Sequence, residues 1–327
     1  MRLRTLKIWK RLKPLWLLLI GWAVVSVVMV VWWGYSIVDV RGGLPKVEAA
    51  NSQTIKTDDV RAVDIRAEGV AVEVASSYDV RDIKVQLYGT GYVNQRAVWQ
   101  QDETGRLTIR LDAYPVIANA HGHRYADNLT MRILLPKKSY DEISISGDRL
   151  NAAFYQCKGK QLTADVAYGS IVLQRADLQK ALLISNTSDI DISRSRIHYL
   201  NINNQYGNTA LLANKLRYCN YHSVAGDLDV QTRKLNGIWE LSSERGDIHV
   251  GTKKWYQTTL GQYNLLLDLH SDTGTVTASS KKKPWKKTIP AALTEHDLLL
   301  LEGRGENMLL VNSEEGNITL DTVKFAE

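Results

Sequence analysis

Two cysteines in 327 residues are too few for a framework stapled by several disulfides. Phenylalanine (2) and proline (6) are as scarce, against 15 tyrosines and 9 tryptophans. With 44% hydrophobic and 23% charged residues the sequence is not that of a disordered chain, and its length suits one large domain or two ordinary ones. The first thirteen positions hold no acid, while Arg2, Arg4, Lys7, Lys10, Arg11 and Lys13 carry six positive charges. Those six account for the whole net charge of +6, because the remainder holds 35 basic residues against 35 acidic ones. A neutral remainder gives no electrostatic footprint for nucleic acid, and no such partner is expected. The sequence also lacks a phosphate-binding Gly-x-x-x-x-Gly-Lys-Ser/Thr loop, a His-Glu-x-x-His helix, a Gly-x-Ser-x-Gly elbow and paired Cys-x-x-Cys motifs. Catalysis, a cofactor and a metal centre are therefore not expected.

No charge of either sign falls between Leu15 and Val38. Residues 15–38 would make a helix of about 36 Å, enough to cross a hydrocarbon core of about 30 Å. Trp9 and Trp16 flank one end, and Trp32, Trp33 and Tyr35 the other, where rings settle at headgroup level. A cleaved signal peptide would have an apolar core of only about 7–15 residues. The expectation is an uncleaved single-pass anchor in a lipid bilayer. The basic tail, residues 1–14, stays in the cytoplasm, and the C-terminal domain lies outside it.

Residues 39–57 are polar, contain Gly42, Gly43 and Pro45, and read as a connector. Residues 58–138 alternate apolar and polar side chains in short runs such as VAVEV and RLTIRL, which predicts a β-strand region. A longer loop interrupts it. His121 and His123 in that loop have no further partner at metal-ligand spacing and read as solvated.

From residue 139 to 327 the sequence repeats. Tyr168-Gly169-Ser170, Thr187-Ser188-Asp189, Tyr206-Gly207-Asn208 and Ala225-Gly226-Asp227 recur at steps of nineteen, and Arg245-Gly246-Asp247 follows at twenty. Around these turns, aligned columns are apolar. One holds Leu162, Ala181, Leu200, Cys219 and Trp239. Another holds Ile171, Ile190, Thr209, Leu228 and Ile248. Further columns start at Ala164, Leu173 and Leu178. A repeat that cannot bury its apolar patches alone buries them by stacking, with coils about 4.8 Å apart. The predicted fold is all-β: a β-solenoid of 19-residue coils, preceded by a short β-strand region and one N-terminal transmembrane α-helix. Cys157 and Cys219 fall at different points of the repeat, about 14 Å apart across three coils. That is too far for a disulfide, so both are expected as free thiols.

This order of basic tail, membrane segment, strands ending in Ile133-Leu134-Leu135-Pro136 and Gly-Asp/Asn repeats resembles a bacterial family of candidate adhesins, domain of unknown function 4097, a toast-rack β-solenoid. The likeness covers residues 60–327. It implies a domain outside a bacterial cytoplasmic membrane, in a family some of whose members accompany envelope-stress signalling. It brings no catalytic residues.

The Asp column of the turns (Asp189, Asp227, Asp247) could in principle supply paired carboxylates or a hard-cation site, but a repeat turn itself favours Asp and Asn. The Arg245-Gly246-Asp247 tripeptide is read as the same turn chemistry. Residues 279–297 interrupt the period with a cationic stretch, Lys281, Lys282, Lys283, Trp285, Lys286 and Lys287, a candidate surface-binding loop for an envelope protein or an anionic envelope polymer. The expected function is a membrane-anchored binding, adhesin-like or stress-sensing scaffold. The alternatives are a carbohydrate-active enzyme on the solenoid face and a self-assembling subunit that stacks through an open end at residues 309–325.

Overall fold

Each 19-residue repeat closes into one flattened coil because apolar side chains alternate along it and two bends interrupt the alternation. Strand Lys158–Gln174 shows the logic: Leu162, Ala164 and Val166 point inward, the chain bends at Gly169, and Ile171 and Leu173 point inward again. A second bend at Arg175 then starts the next coil. The computed structural model describes residues 46–47, 52–56, 59–90, 97–112, 129–254, 265–278, 297–302 and 307–322. The expected membrane span, the basic tail, the His121–His123 loop and residues 281–287 lie outside the described residues. Residues 1–46 and 47–327 are separate units, and the strands from Gln53 onward belong to the second.

Coils stack by parallel pairing in the register that the repeat predicts. Leu162 aligns with Ala181, Leu200, Cys219 and Trp239 in turn, and Ile171 with Ile190, Thr209 and Leu228. The step changes from nineteen (Leu212 with Gln231) to twenty (Tyr218 with Ile238), so one residue is added between. Gly237, with φ +84°, lies there. Its peptide N–H donates to Asn307 Oδ1 at 2.8 Å.

Chain order and stacking order part company at both ends. At the C-terminal end, Asn307–Ser313 pairs with Ile238–Ser243 on one side and with Leu265–Ser271 on the other. The final coil is thus inserted beneath the one that precedes it in sequence. Strand Asp297–Glu302 then runs antiparallel along the outer edge of Leu265–Ser271. The expectation of an open end at residues 309–325 is overturned, since residues 307–313 are paired on both edges. The N-terminal end repeats the device. Ala62–Glu68 and Val70–Ser77 lie between strand Tyr140–Tyr155 and the pair Arg106–Asp112 and Thr130–Pro136. Antiparallel strands Val98–Gln101 and Ile83–Thr90 cover the outer edge. Gln53–Ile55, within the segment read as a connector, pairs with Ile83–Val85 and buries Ile55. Covered edges limit strand-to-strand association between molecules.

One continuous apolar core runs from Ile55 to Leu320. Both cysteines are buried in it as free thiols. Burial pushes each thiol up to about 12. Neither should react with a maleimide at pH 8 in the folded protein, and both should react in denaturant, because the thiolate is the nucleophile. Rapid labelling of the native chain would show that the coils open locally.

Candidate functional site

From Asp189 onward, the polar side chain at the first bend bonds to the backbone of the neighbouring coil. Asp189 Oδ1 accepts from the N–H of Asn208 at 3.0 Å, Asn208 Oδ1 from Asp227, and Asp227 Oδ1 from Asp247, each also at 3.0 Å. The chain of bonds continues through Asn317 N–H to Asp247 Oδ1 at 2.7 Å and ends with Thr275 N–H on Asn317 Oδ1 at 3.0 Å. Each carboxylate or amide caps the next coil. Among the described residues, no group of three or more His, Cys, Asp and Glu side chains is arranged to hold a metal ion. The Asp column is a structural ladder, and Arg245-Gly246-Asp247 is one rung of it. Asp227→Asn, which keeps the accepting oxygen, should leave the thermal midpoint nearly unchanged, while Asp227→Ala should cost about 1 kcal/mol. Equal losses for both would mean the charge matters and the bond does not.

The second bend is built differently. Gln156, Arg175, Arg194 and Ala213 occupy it in successive coils, all left-handed with φ between 53° and 56°. Directly after them come Cys157, Ala176, Ser195 and Asn214, turned inward. Ser195 Oγ accepts from Ala176 N–H at 3.1 Å and Asn214 Oδ1 from Ser195 N–H at 2.8 Å, so this inner column closes the bend. The next outward column is Lys158, Asp177, Arg196 and Lys215 in strict parallel register. Lys160, Gln179, His198 and Arg217 form the one beyond. Of these twelve outward positions seven are Lys or Arg and one is acidic.

The surface here is concave. A groove of about 710 Å³ lies over Lys158, Asp177, Arg196, His198 and Lys215. Another, of about 510 Å³, shares Lys158 and Asp177 with it and extends to Lys137 and Arg175. Tyr199 lines the first groove, and its ring stacks on that of Tyr218 with centroids 4.6 Å apart and planes 7° apart. The imidazole of His198 meets Tyr199 edge-on at 4.5 Å. Arg217 lies over Tyr218, 5.6 Å from its centroid. Lys160 is engaged elsewhere: its Nζ is 2.7 Å from Asp141, whose carboxyl it holds below the usual range. Lys158, Arg175, Arg194, Arg196 and Lys215 have no ion-pair partner among the described residues.

The sequence reading did not find this edge. Its candidate residues, Lys281, Lys282, Lys283, Trp285, Lys286 and Lys287, fall outside the described residues. The signal was nevertheless there: residues 158, 177, 196 and 215 follow the same step of nineteen as the apolar columns. Neutrality of the whole domain hid it, because acids collected at one bend balance cations collected at the other.

A family model described as Toastrack DUF4097 matches residues 60–321. No curated protein matches the sequence. Among solved structures, the chain is similar to an adhesin candidate from Parabacteroides distasonis at 11% identity and a TM-score of 0.44, covering 83% of this chain and 96% of that one. An adhesin candidate from Bacteroides fragilis is 14% identical, with a TM-score of 0.39 and the same coverage. A candidate lipid-binding protein from P. distasonis is 14% identical at a TM-score of 0.42, over 84% of this chain and 96% of that one. None of the three is named as an enzyme.

Proposed function

The chain belongs to the Toastrack DUF4097 family, and from that premise we propose that it is a membrane-anchored binding module whose solenoid lies outside the cytoplasm. The observation that carries the proposal is the segregation of charge on a neutral repeat domain. Cations without partners line the second bend, while the acids of the first bend are consumed by backbone bonds. A purely structural rod has no need of an unpaired row. In this proposal residues 1–14 are a cytoplasmic tail, residues 15–38 the transmembrane helix, residues 39–57 a connector whose strand Gln53–Ile55 joins the sheet, residues 58–138 a β region and residues 139–327 the solenoid. The uncharged stretch and its basic flank support that order. Lys281, Lys282, Lys283, Trp285, Lys286 and Lys287 add a second cationic contact for an envelope protein or an anionic envelope polymer.

The test has two readouts on the full-length chain. Protease added to intact cells should remove the solenoid and leave the membrane segment. The purified chain should retain envelope material that a chain lacking residues 58–327 does not. A solenoid protected from protease, in cells whose envelope demonstrably admits it, would overturn the topology. Equal retention by both chains would overturn the binding role.

A further inference from the structure

Resting on the reading of the solenoid as a binding module, the geometry points to a linear anionic polysaccharide as its ligand, laid across the coils along the second bend. Lys158, Arg196 and Lys215 belong to one column that crosses four coils, broken only by Asp177. Arg175 and Arg194 make a parallel row beside it. Successive positions are about 4.8 Å apart. A small anion is recognised by donors converging on one point, whereas these donors are spread along a line. An extended chain bearing charge at intervals meets them one after another.

Three features show that the cations serve something other than the fold. Arg196 sits directly beside Lys215, and Arg175 beside Arg194, in adjacent strands where like charges repel. Asp177 is the other in-register neighbour of Arg196, but none of the four makes an ion pair among the described residues. Arg175 and Arg194 also hold left-handed backbone, φ 54° and 53°, which suits Asn or Gly better than a long side chain. The bend therefore does not select arginine.

Two further features select the ligand class. The two grooves, of about 710 and 510 Å³, adjoin at Lys158 and Asp177, which line both, and an extended strand can follow one into the other. The stack of Tyr218 on the groove-lining Tyr199 offers a flat ring surface, with Tyr199 48% exposed, to the C–H face of a sugar. Charge in the row and rings beside it match a polymer of acidic sugars.

The test uses the full-length chain in phosphatidylcholine nanodiscs. Polygalacturonate is the probe, with neutral dextran of equal length as comparator and phosphatidylglycerol vesicles as the membrane alternative. Polygalacturonate should bind, dextran should not, and affinity should fall as salt rises from 0.05 to about 0.5 M, where the screening length shrinks severalfold. A chain carrying Lys158→Gln, Arg175→Gln, Arg196→Gln and Lys215→Gln should bind about thirtyfold more weakly, with an unchanged circular dichroism spectrum. A second chain, with Arg2, Arg4, Lys7, Lys10, Arg11, Lys13, Lys281, Lys282, Lys283, Lys286 and Lys287 all changed to Gln, should keep salt-sensitive polygalacturonate binding even if the fourfold variant folds poorly, and its loss would overturn the inference. Dextran binding of equal strength, or polygalacturonate binding that ignores salt, would overturn the inference. So would a fourfold variant that keeps polygalacturonate and loses only phosphatidylglycerol vesicles. If the solenoid is still removed from intact cells and still retains envelope material, such a failure sinks the ligand class and leaves the binding module standing.

Discussion

Trp239→Ala should destabilise the solenoid by about 3–5 kcal/mol, the range for deleting a large buried aromatic ring. Trp239 is 1% exposed and is the largest fully buried side chain among the described residues. Its parallel neighbours in the column are Cys219 on one coil and Leu309 on the next. The small thiol next to it is what makes room for the indole, as close packing requires. Its Nε1–H donates to the carbonyl of Asn236 at 3.0 Å, so the substitution also removes a bond beside the added residue at Gly237. The loss should fall at the join between the 238–254 coil and the inserted final coil. Urea unfolding followed by circular dichroism would measure it. A loss below 1 kcal/mol would show that the neighbouring coils collapse into the space, which a core held by two strand ladders should resist.

Periodicity made the coil legible because burial enforces it. Every inward column that the repeat predicted from residue 162 onward is buried where it is described, down to Thr209, the one polar member of its column. One inward column escaped notice because it is polar. Ser185, Asn204, Ser223, Ser243, Ser271 and Ser313 are buried beside the first bend. Asn204 donates to the carbonyls of Ser188 and Gly207, both at 2.9 Å, and Ser271 Oγ donates to the carbonyl of Gly316 at 2.8 Å. A hydropathy pattern treats such residues as exposed, yet Asn204, Ser271 and Ser313 answer backbone groups at the bend, while the hydroxyls of Ser185, Ser223 and Ser243 are buried without a hydrogen-bond partner among the described residues. Stacking order was equally hidden. A repeat specifies what one coil wants to cover, and any other coil satisfies it. Nothing in the spacing of residues 265–278 and 307–322 says which of them touches residues 238–254. The basic edge was missed for a related reason: surface columns have no burial to enforce them, so their regularity shows only when charge is read with the coil's own period.

Gly226→Ala should be among the most damaging single-methyl additions in the chain, costing about 3–5 kcal/mol from backbone strain and overpacking together. Gly226 has φ +150°, which side chains rarely adopt. A Cβ there would lie 2.1 Å from the carbonyl oxygen of Gly207 and 2.8 Å from its carbon, both backbone atoms of the coil beneath. The clash repeats up the stack, with Gly246 against Gly226, Gly316 against Gly246 and Gly274 against Gly316, each at 2.0–2.1 Å. The glycines therefore set how closely the first bends can approach, and the Asp–Asn ladder needs that approach for its 3.0 Å bonds. Like Leu150 two coils earlier, Ser188 shows an escape. It occupies the same column with a buried side chain whose hydroxyl reaches the Val166 carbonyl at 3.4 Å, and its φ is not positive. A coil can thus bend without glycine if its backbone takes another path. Thermal unfolding of Gly226→Ala beside Ser188→Ala separates the two cases. The serine change loses one long hydrogen bond and should cost about 1 kcal/mol. If the glycine change costs no more than that, the 226 bend has moved to the Ser188 path, and the bond from Asp227 N–H to Asn208 should be lost with it, seen as faster amide exchange at Asp227.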